Sequence, residues 1–162
     1  MQLYFNKIVC EPFNEFIPYT SLNPIPVIIK FFKTPIISNT IYARNLAENN
    51  FIEFSFYTRT RKLYELAVVN IIEGSVKLGA NDFLGGDEFY ECYIEEDSEL
   101  EISKPISILR SDKSLIFLWN EQPSKTYQIT KNCMLGIDSN NNLCAVMLIN
   151  LNTEIIYQIL GF

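Results

Sequence analysis

From residue 51 the apolar positions recur with a period of two. In FIEFSFYTRTRKLYELAVVNII, Ile52, Phe54 and Phe56 alternate with Glu53, Ser55 and Tyr57, and a basic turn leads into a second β-rich run. This pattern predicts a hairpin. Beyond residue 98 the runs ELEIS, PISILR, SLIFLW, KTYQIT, CMLGID, NLCAVMLIN and EIIYQIL follow one another, separated by polar pieces such as SDK, NEQPS and NT. Seven strand candidates in so little chain leave no room for crossover helices and predict an antiparallel meander.

The first forty residues carry Pro12, Pro18, Pro24, Pro26 and Pro35, which disfavours a long helix. Irregular structure is expected there, with short strands near Leu3 to Val9 and Val27 to Phe32. SNTIYARNLAENN offers Ser38 or Asn39 as N-cap and Ala43, Leu46 and Ala47 at helical spacing, so it predicts a helix. The expected fold class is mainly β (α+β), an antiparallel sheet or β-sandwich with one or two short helices. No internal repeat or linker divides residues 1–162, and a chain of this length can bury ~70% of its unfolded surface as a single domain.

With 48% hydrophobic residues, the chain still has no apolar run near the ~18 residues of a membrane helix. The best stretch, Ile25 to Phe32, is interrupted by Pro26 and Lys30. The start, MQLYFNKIVCEPF, lacks the basic, apolar and small-residue regions of a secretory leader, so a cytoplasmic protein without membrane association is expected. Cys10, Cys92, Cys133 and Cys144 are scattered, with no C-x-x-C pair, and read as reduced, mostly buried thiols. Histidine is absent, which removes the usual general base and the commonest transition-metal ligand. Neither a cofactor nor a metal is expected.

Asp138, Asn140 and Asn142 alternate in LGIDSNNNLCAVML as in a calcium loop. An EF-hand starting at Asp138 would need glycine sixth and a carboxylate twelfth, where the chain has Leu143 and Ile149. A hairpin turn explains the spacing, because Asn and Asp tolerate left-handed backbone and bond their own main chain.

The strongest anomaly is DFLGGDEFYECYIEEDSELE. It holds nine of the nineteen acids, Asp82, Asp87, Glu88, Glu91, Glu95, Glu96, Asp97, Glu99 and Glu101, and no Lys or Arg. Phe83, Phe89, Tyr90 and Tyr93 are interleaved, and Gly85 and Gly86 precede the densest part. A helix would gather Glu88, Glu91 and Glu95 on one face, whereas a strand would align Tyr90, Cys92 and Ile94 on one face and Glu91 with Glu95 on the other. Crowded carboxylates repel one another. They read either as a solvated face or as an anionic, aromatic-studded surface for a basic partner. The candidate contact residues are these nine acids with Phe89 and Tyr93.

The basic group Arg59, Arg61 and Lys62 reads first as a solvated hairpin tip, and alternatively as an anion contact or an internal partner for the acidic stretch. Trp119 alternates with Phe117 and Leu115 and is expected in the core. A net charge of −6 argues against direct nucleic-acid binding, which needs a basic footprint. Regularly placed carboxylates can instead occupy the cationic cleft of a nuclease.

Small size, abundant Ile, Asn, Phe and Tyr, the acidic balance, the missing catalytic residues and the ending CMLGIDSNNNLCAVMLI resemble the immunity proteins of bacterial contact-dependent growth inhibition and related polymorphic toxin systems, most closely over residues 98–160. The resemblance implies a cytoplasmic protein, monomeric when free, that binds one cognate toxin domain, often a nuclease, one-to-one and blocks its active site. Two other classes stay open: an assembly subunit joined through strand edges, and a hydrolase working through paired carboxylates.

Overall fold

The computed structural model describes residues 1–20, 23–32, 39–47, 50–71, 76–79, 85–119 and 122–161. It is mostly β, with three mainly antiparallel sheets and a single short helix among the described residues. The first half of the chain supplies β1 (Leu3–Ile8), β2 (Glu15–Thr20), β3 (Asn23–Lys30), β4 (Thr40–Ala47), β5 (Asn50–Tyr57), β6 (Leu63–Asn70) and β7 (Val76–Leu78). The second supplies β8 (Phe89–Ile94), β9 (Glu101–Ile102), β10 (Ser107–Arg110), β11 (Leu115–Leu118), β12 (Lys125–Thr130), β13 (Cys133–Ile137), β14 (Leu143–Leu148) and α1 (Thr153–Leu160).

One six-stranded sheet runs β2, β3, β6, β5, β4, β9, the other runs β12, β13, β14, β11, β10, β7, and β1 pairs with β8 in a small third sheet. The predicted hairpin is β5 and β6, whose alternation buries Ile52, Phe54 and Phe56. These side chains, Leu66 and Val68 of β6, Ile108, Phe117, Leu135 and Val146 of the second sheet, and Leu3 and Ile94 of the third belong to one apolar cluster. β8 lies against both β6 and β12. It therefore connects the small sheet to each large one.

The expected meander holds only in part. β12, β13 and β14 are consecutive neighbours, but β14 returns beside β11, while β9 departs to pair in parallel with β4. The result around β11 to β14 is a Greek-key order. Pro18 and Pro26 do not prevent strands. β2 is an edge strand, and β3 is paired on both sides only from Val27 onward, so neither missing N–H breaks a central ladder.

Two helix-strand assignments are reversed. The segment expected to be helical is β4, paired with β5 along its whole length from Thr40↔Tyr57 to Ala47↔Asn50. Ala43 and Asn45 point inward and are fully buried, whereas Leu46 is exposed. Asn45 hides the strand pattern because a polar residue occupies an inward position, where its Nδ2 donates to the Lys104 carbonyl at 3.1 Å. Ser38, one of the two suggested caps, lies outside the described residues. Asn39 instead offers its carbonyl to the Thr58 N–H at 3.2 Å.

Conversely, EIIYQIL forms α1. Asn152 caps it through Oδ1, which accepts from the Ile155 N–H at 2.8 Å, and Gly161 ends it in the left-handed region at φ 76° with its N–H on the Tyr157 carbonyl. Ile156, Ile159 and Leu160 are the buried face, with the helical spacing that two adjacent isoleucines disguised. Asn152→Ala is expected to cost about 1 kcal/mol, the usual value of such a cap. Urea unfolding measures it.

The DSNNN segment is the anticipated turn. The Asp138 carboxylate accepts from the N–H groups of Asn140 at 2.8 Å and Asn142 at 3.0 Å, and Asn141 takes φ 62°. Trp119 is buried, as expected.

Candidate functional site

The acidic stretch is a strand followed by a turn, and the two parts use their carboxylates differently. In β8, Cys92 and Ile94 face the core, with Tyr90 packed against it. Tyr90 meets Tyr127 of β12 edge-on at 4.9 Å. The opposite face carries Phe89, Glu91 and Tyr93, register partners of Ile8, Asn6 and Tyr4 on β1. Tyr93 stacks on Tyr4 at 5.0 Å. The strand alternative is therefore the one realised. At its start the chain is tied to β12: the Gly86 N–H donates to Gln128 Oε1 at 2.7 Å, and a Cβ on Gly85 would fall 2.6 Å from Gln128 Nε2. A side chain at residue 85 would displace that amide.

Two of the candidate acids are engaged internally. Glu88 pairs with Lys7 at 2.8 Å, an exposed contact that lowers the Glu88 pKa through the lysine's hydrogen bond and charge. Glu91 accepts from Lys62 Nζ at 2.6 Å and from the Tyr93 hydroxyl at 2.7 Å. Burial pushes the Glu91 carboxyl up, but the Lys62 and Tyr93 hydrogen bonds and the Lys62 charge outweigh it and leave the pKa below 4.5. Tyr93 is pushed up to about 12 by burial and by the adjacent Glu91. Lys62 Nζ also lies over the Phe32 ring, 4.5 Å from its centroid.

Because its folded pKa is lowered, Glu91 contributes stability above pH 4.5 that is lost as pH falls through the lowered value. Glu91→Gln is expected to shrink the acid-side loss of stability, by less than about 1 kcal/mol after solvent screening. Denaturant titrations between pH 3 and pH 7, ~0.5 unit apart, give the comparison. Identical pH profiles for the two proteins would remove the ion pair from this account.

Four of the remaining acids belong to the turn after β8, and Glu101 opens β9 directly after it. Glu95, Glu96, Asp97, Glu99 and Glu101 are exposed, and none makes a salt bridge among the described residues. Asp87 is likewise exposed and without a salt bridge, but it precedes β8 and stands apart from them in sequence. Asp82 lies outside the described residues, as does Phe83. The fold thus groups four of the proposed contact acids on one turn, with Glu101 at the start of β9 after it, and turns Glu88 and Glu91 to internal pairs.

The turn's backbone is held by the residue that sequence reasoning placed first at a solvated tip. Arg61 Nε donates to the Ile94 carbonyl at 3.1 Å, and Nη2 donates to the carbonyls of Glu95 at 2.9 Å and Glu96 at 3.1 Å. The Arg61 carbonyl in turn accepts from the Ile94 N–H at 3.0 Å. Arg61 has φ 63°, a conformation uncommon outside glycine. Of the alternatives raised for the basic group, the internal partner describes Arg61 and Lys62, while Arg59 is exposed. Only the concentration of opposite charges in two separate segments signalled this pairing in sequence.

A guanidinium satisfied by three carbonyls fixes the main chain and leaves the carboxylates pointing to solvent, without neutralising them by contact. Arg61→Lys keeps the charge and loses the fork. Amide exchange at Glu95 to Ser98 is expected to accelerate about tenfold, equivalent to ~1.4 kcal/mol of local stability. Hydrogen exchange followed by NMR reads this directly.

Beside Lys62 and Glu91 lies an apolar pocket of about 360 Å³. Phe31, Leu63, Cys92 and Ile129 are its buried residues. A polar cavity of about 400 Å³ adjoins the turn, lined by Asp97, Ser98 and Glu99 together with Met1, Lys104 and Asn142. Among the described residues no group of three or more His, Cys, Asp and Glu is placed to hold a metal ion, and no helix is long and apolar enough to cross a membrane. In comparisons with known proteins, the chain matches no family model and no curated sequence.

Proposed function

We propose that this chain is a stoichiometric, cytoplasmic inhibitor of the immunity type, which binds one basic partner, a toxin's nuclease domain, and covers its cationic active-site cleft. The observation that carries the reading is the segment from Glu95 to Glu101, five exposed carboxylates without salt bridges on a backbone that Arg61 fastens at Glu95 and Glu96. Such a surface steers a cationic partner toward itself and needs little ordering when contact is made, so the loss of entropy on binding is small. The stacked Tyr4 and Tyr93 rings beside it supply apolar contact area. A net charge of −6 adds long-range attraction.

The test is capture at low salt from the native cells, with the tagged protein as bait. A one-to-one complex is expected with a basic protein whose nuclease activity falls to zero at equimolar addition and returns when salt disrupts the complex. A captured nuclease that stays active in the complex, or the absence of any basic partner, overturns the proposal.

A further inference from the structure

We infer that the apolar pocket beside the Lys62–Glu91 ion pair receives an aromatic side chain presented on a basic segment of the partner. This rests on the inhibitor reading and adds an anchoring site to it.

The pocket has the size and lining of a binding site. Its volume, about 360 Å³, falls within the range of small-ligand pockets and suits one large side chain. Buried Leu63 and Ile129 offer apolar surface inside it, and Pro12 and Phe13 border it from the segment after β1. That segment exposes apolar surface instead of hiding it. Phe13 is 37% exposed, so an arriving apolar group removes both the pocket walls and this rim residue from water.

Charge selects the occupant. The ionisable rim consists of Glu11, Glu91 and Lys62, two carboxylates against one ammonium, and Lys62 is already committed to Glu91 at 2.6 Å. Glu11 is exposed and free to meet a cation. The pocket is tied to the acidic turn through the β5–β6 connection: Lys62 lines the pocket, and Arg61, the residue before it, holds the carbonyls of Glu95 and Glu96. An aromatic residue flanked by arginine or lysine satisfies both surfaces at once. Aromatic residues and arginine are the side chains enriched in binding hot spots, where a desolvated anchor fills a pocket.

The experiment uses the intact protein and three synthetic peptides. The first has tryptophan between pairs of arginines, the second has alanine in its place, and the third has tryptophan between pairs of serines. Cys10, at the pocket and exposed while Cys92, Cys133 and Cys144 are buried, allows the site to be blocked on folded protein with N-ethylmaleimide. Circular dichroism verifies that the fold survives labelling.

Calorimetry is expected to show the first peptide binding about tenfold or more tighter than either other peptide, as burial of one aromatic side chain implies. Labelling of Cys10 is expected to abolish its advantage over the alanine peptide and leave the weak, salt-sensitive binding of the acidic turn. Equal binding of the tryptophan and alanine peptides overturns the pocket, as does an advantage that survives labelling. Equal binding of the arginine- and serine-flanked peptides overturns the basic character of the occupant. Failure of all three to bind overturns the inference as a whole. The function itself is judged separately by capture: a native complex that forms undiminished with Cys10-labelled protein removes the pocket and leaves the inhibitor standing.

Discussion

Phe54→Ala is expected to destabilise the protein by about 3–5 kcal/mol. Phe54 is fully buried at the middle of β5, with Ala43 of β4 and Leu66 of β6 as its register neighbours. Ala43 is too small to refill the space, and both flanking strands are held by their ladders, so most of the cavity would persist. Domains of this kind have net stabilities of roughly 5–15 kcal/mol, so the variant approaches the threshold of folding. Urea unfolding followed by the fluorescence of Trp119, the single tryptophan, gives the value. Tyr42→Ala, on the outward face of β4 and 48% exposed, is the contrast and is expected within about 0.5 kcal/mol of the parent. Equal losses at the two positions would contradict the assignment of inner and outer faces.

The second large effect concerns recognition. Replacing Glu95, Glu96 and Glu99 with Gln and Asp97 with Asn is expected to weaken binding of a captured basic partner by several kcal/mol, about a thousandfold at ~1.4 kcal/mol per tenfold. The loss should divide between slower association, where steering acts, and faster dissociation, where carboxylates are desolvated in the complex. The salt dependence should flatten as well. A control with the same change in total charge separates the turn from the overall field: Glu15→Gln, Asp87→Asn, Asp112→Asn and Glu154→Gln, all exposed, outside the turn in sequence and without a salt bridge among the described residues. Its affinity is expected to fall less than tenfold, through steering alone. If both quadruple variants lose affinity equally, net charge and not the turn is responsible.

Glu88 and Glu91 are left out of the first variant because of their internal bonds to Lys7 and Lys62. In sequence all nine acids look equivalent. Their division follows from strand pairing: β1 brings Lys7 beside Glu88, and the β5–β6 hairpin brings Lys62 to Glu91 and Arg61 to the turn carbonyls. Lys62 and Glu91 are separated by 29 positions. Periodicity does not report contacts across that separation. The pocket was illegible for the same reason, since its walls come from the segment after β1 and from β6, β8 and β12.

The errors of secondary structure have local causes. Asn45 occupies an inward strand position, where its Nδ2 donates to the Lys104 carbonyl, so the alternation that marks β4 is interrupted at a fully buried site. In α1 the cap signals Asn152 and Gly161 are present in the chain, but Ile155 and Ile156 satisfy strand propensity as well as a helical stripe. Short apolar segments admit both periods.

Short-range physics already decides the β-rich class, the β5–β6 hairpin, the Asp138 turn and the concentration of acids between residues 82 and 101. Alternation, turn chemistry and composition act within a few residues, so each is readable without knowing the fold. Which carboxylates remain available, what Arg61 does, where β9 and β14 pair, and that an apolar pocket opens beside the Lys62–Glu91 pair all had to wait for the packed chain. Those outcomes depend on which distant strands become neighbours, and a hydrogen bond or ion pair forms only after the whole core has chosen its packing.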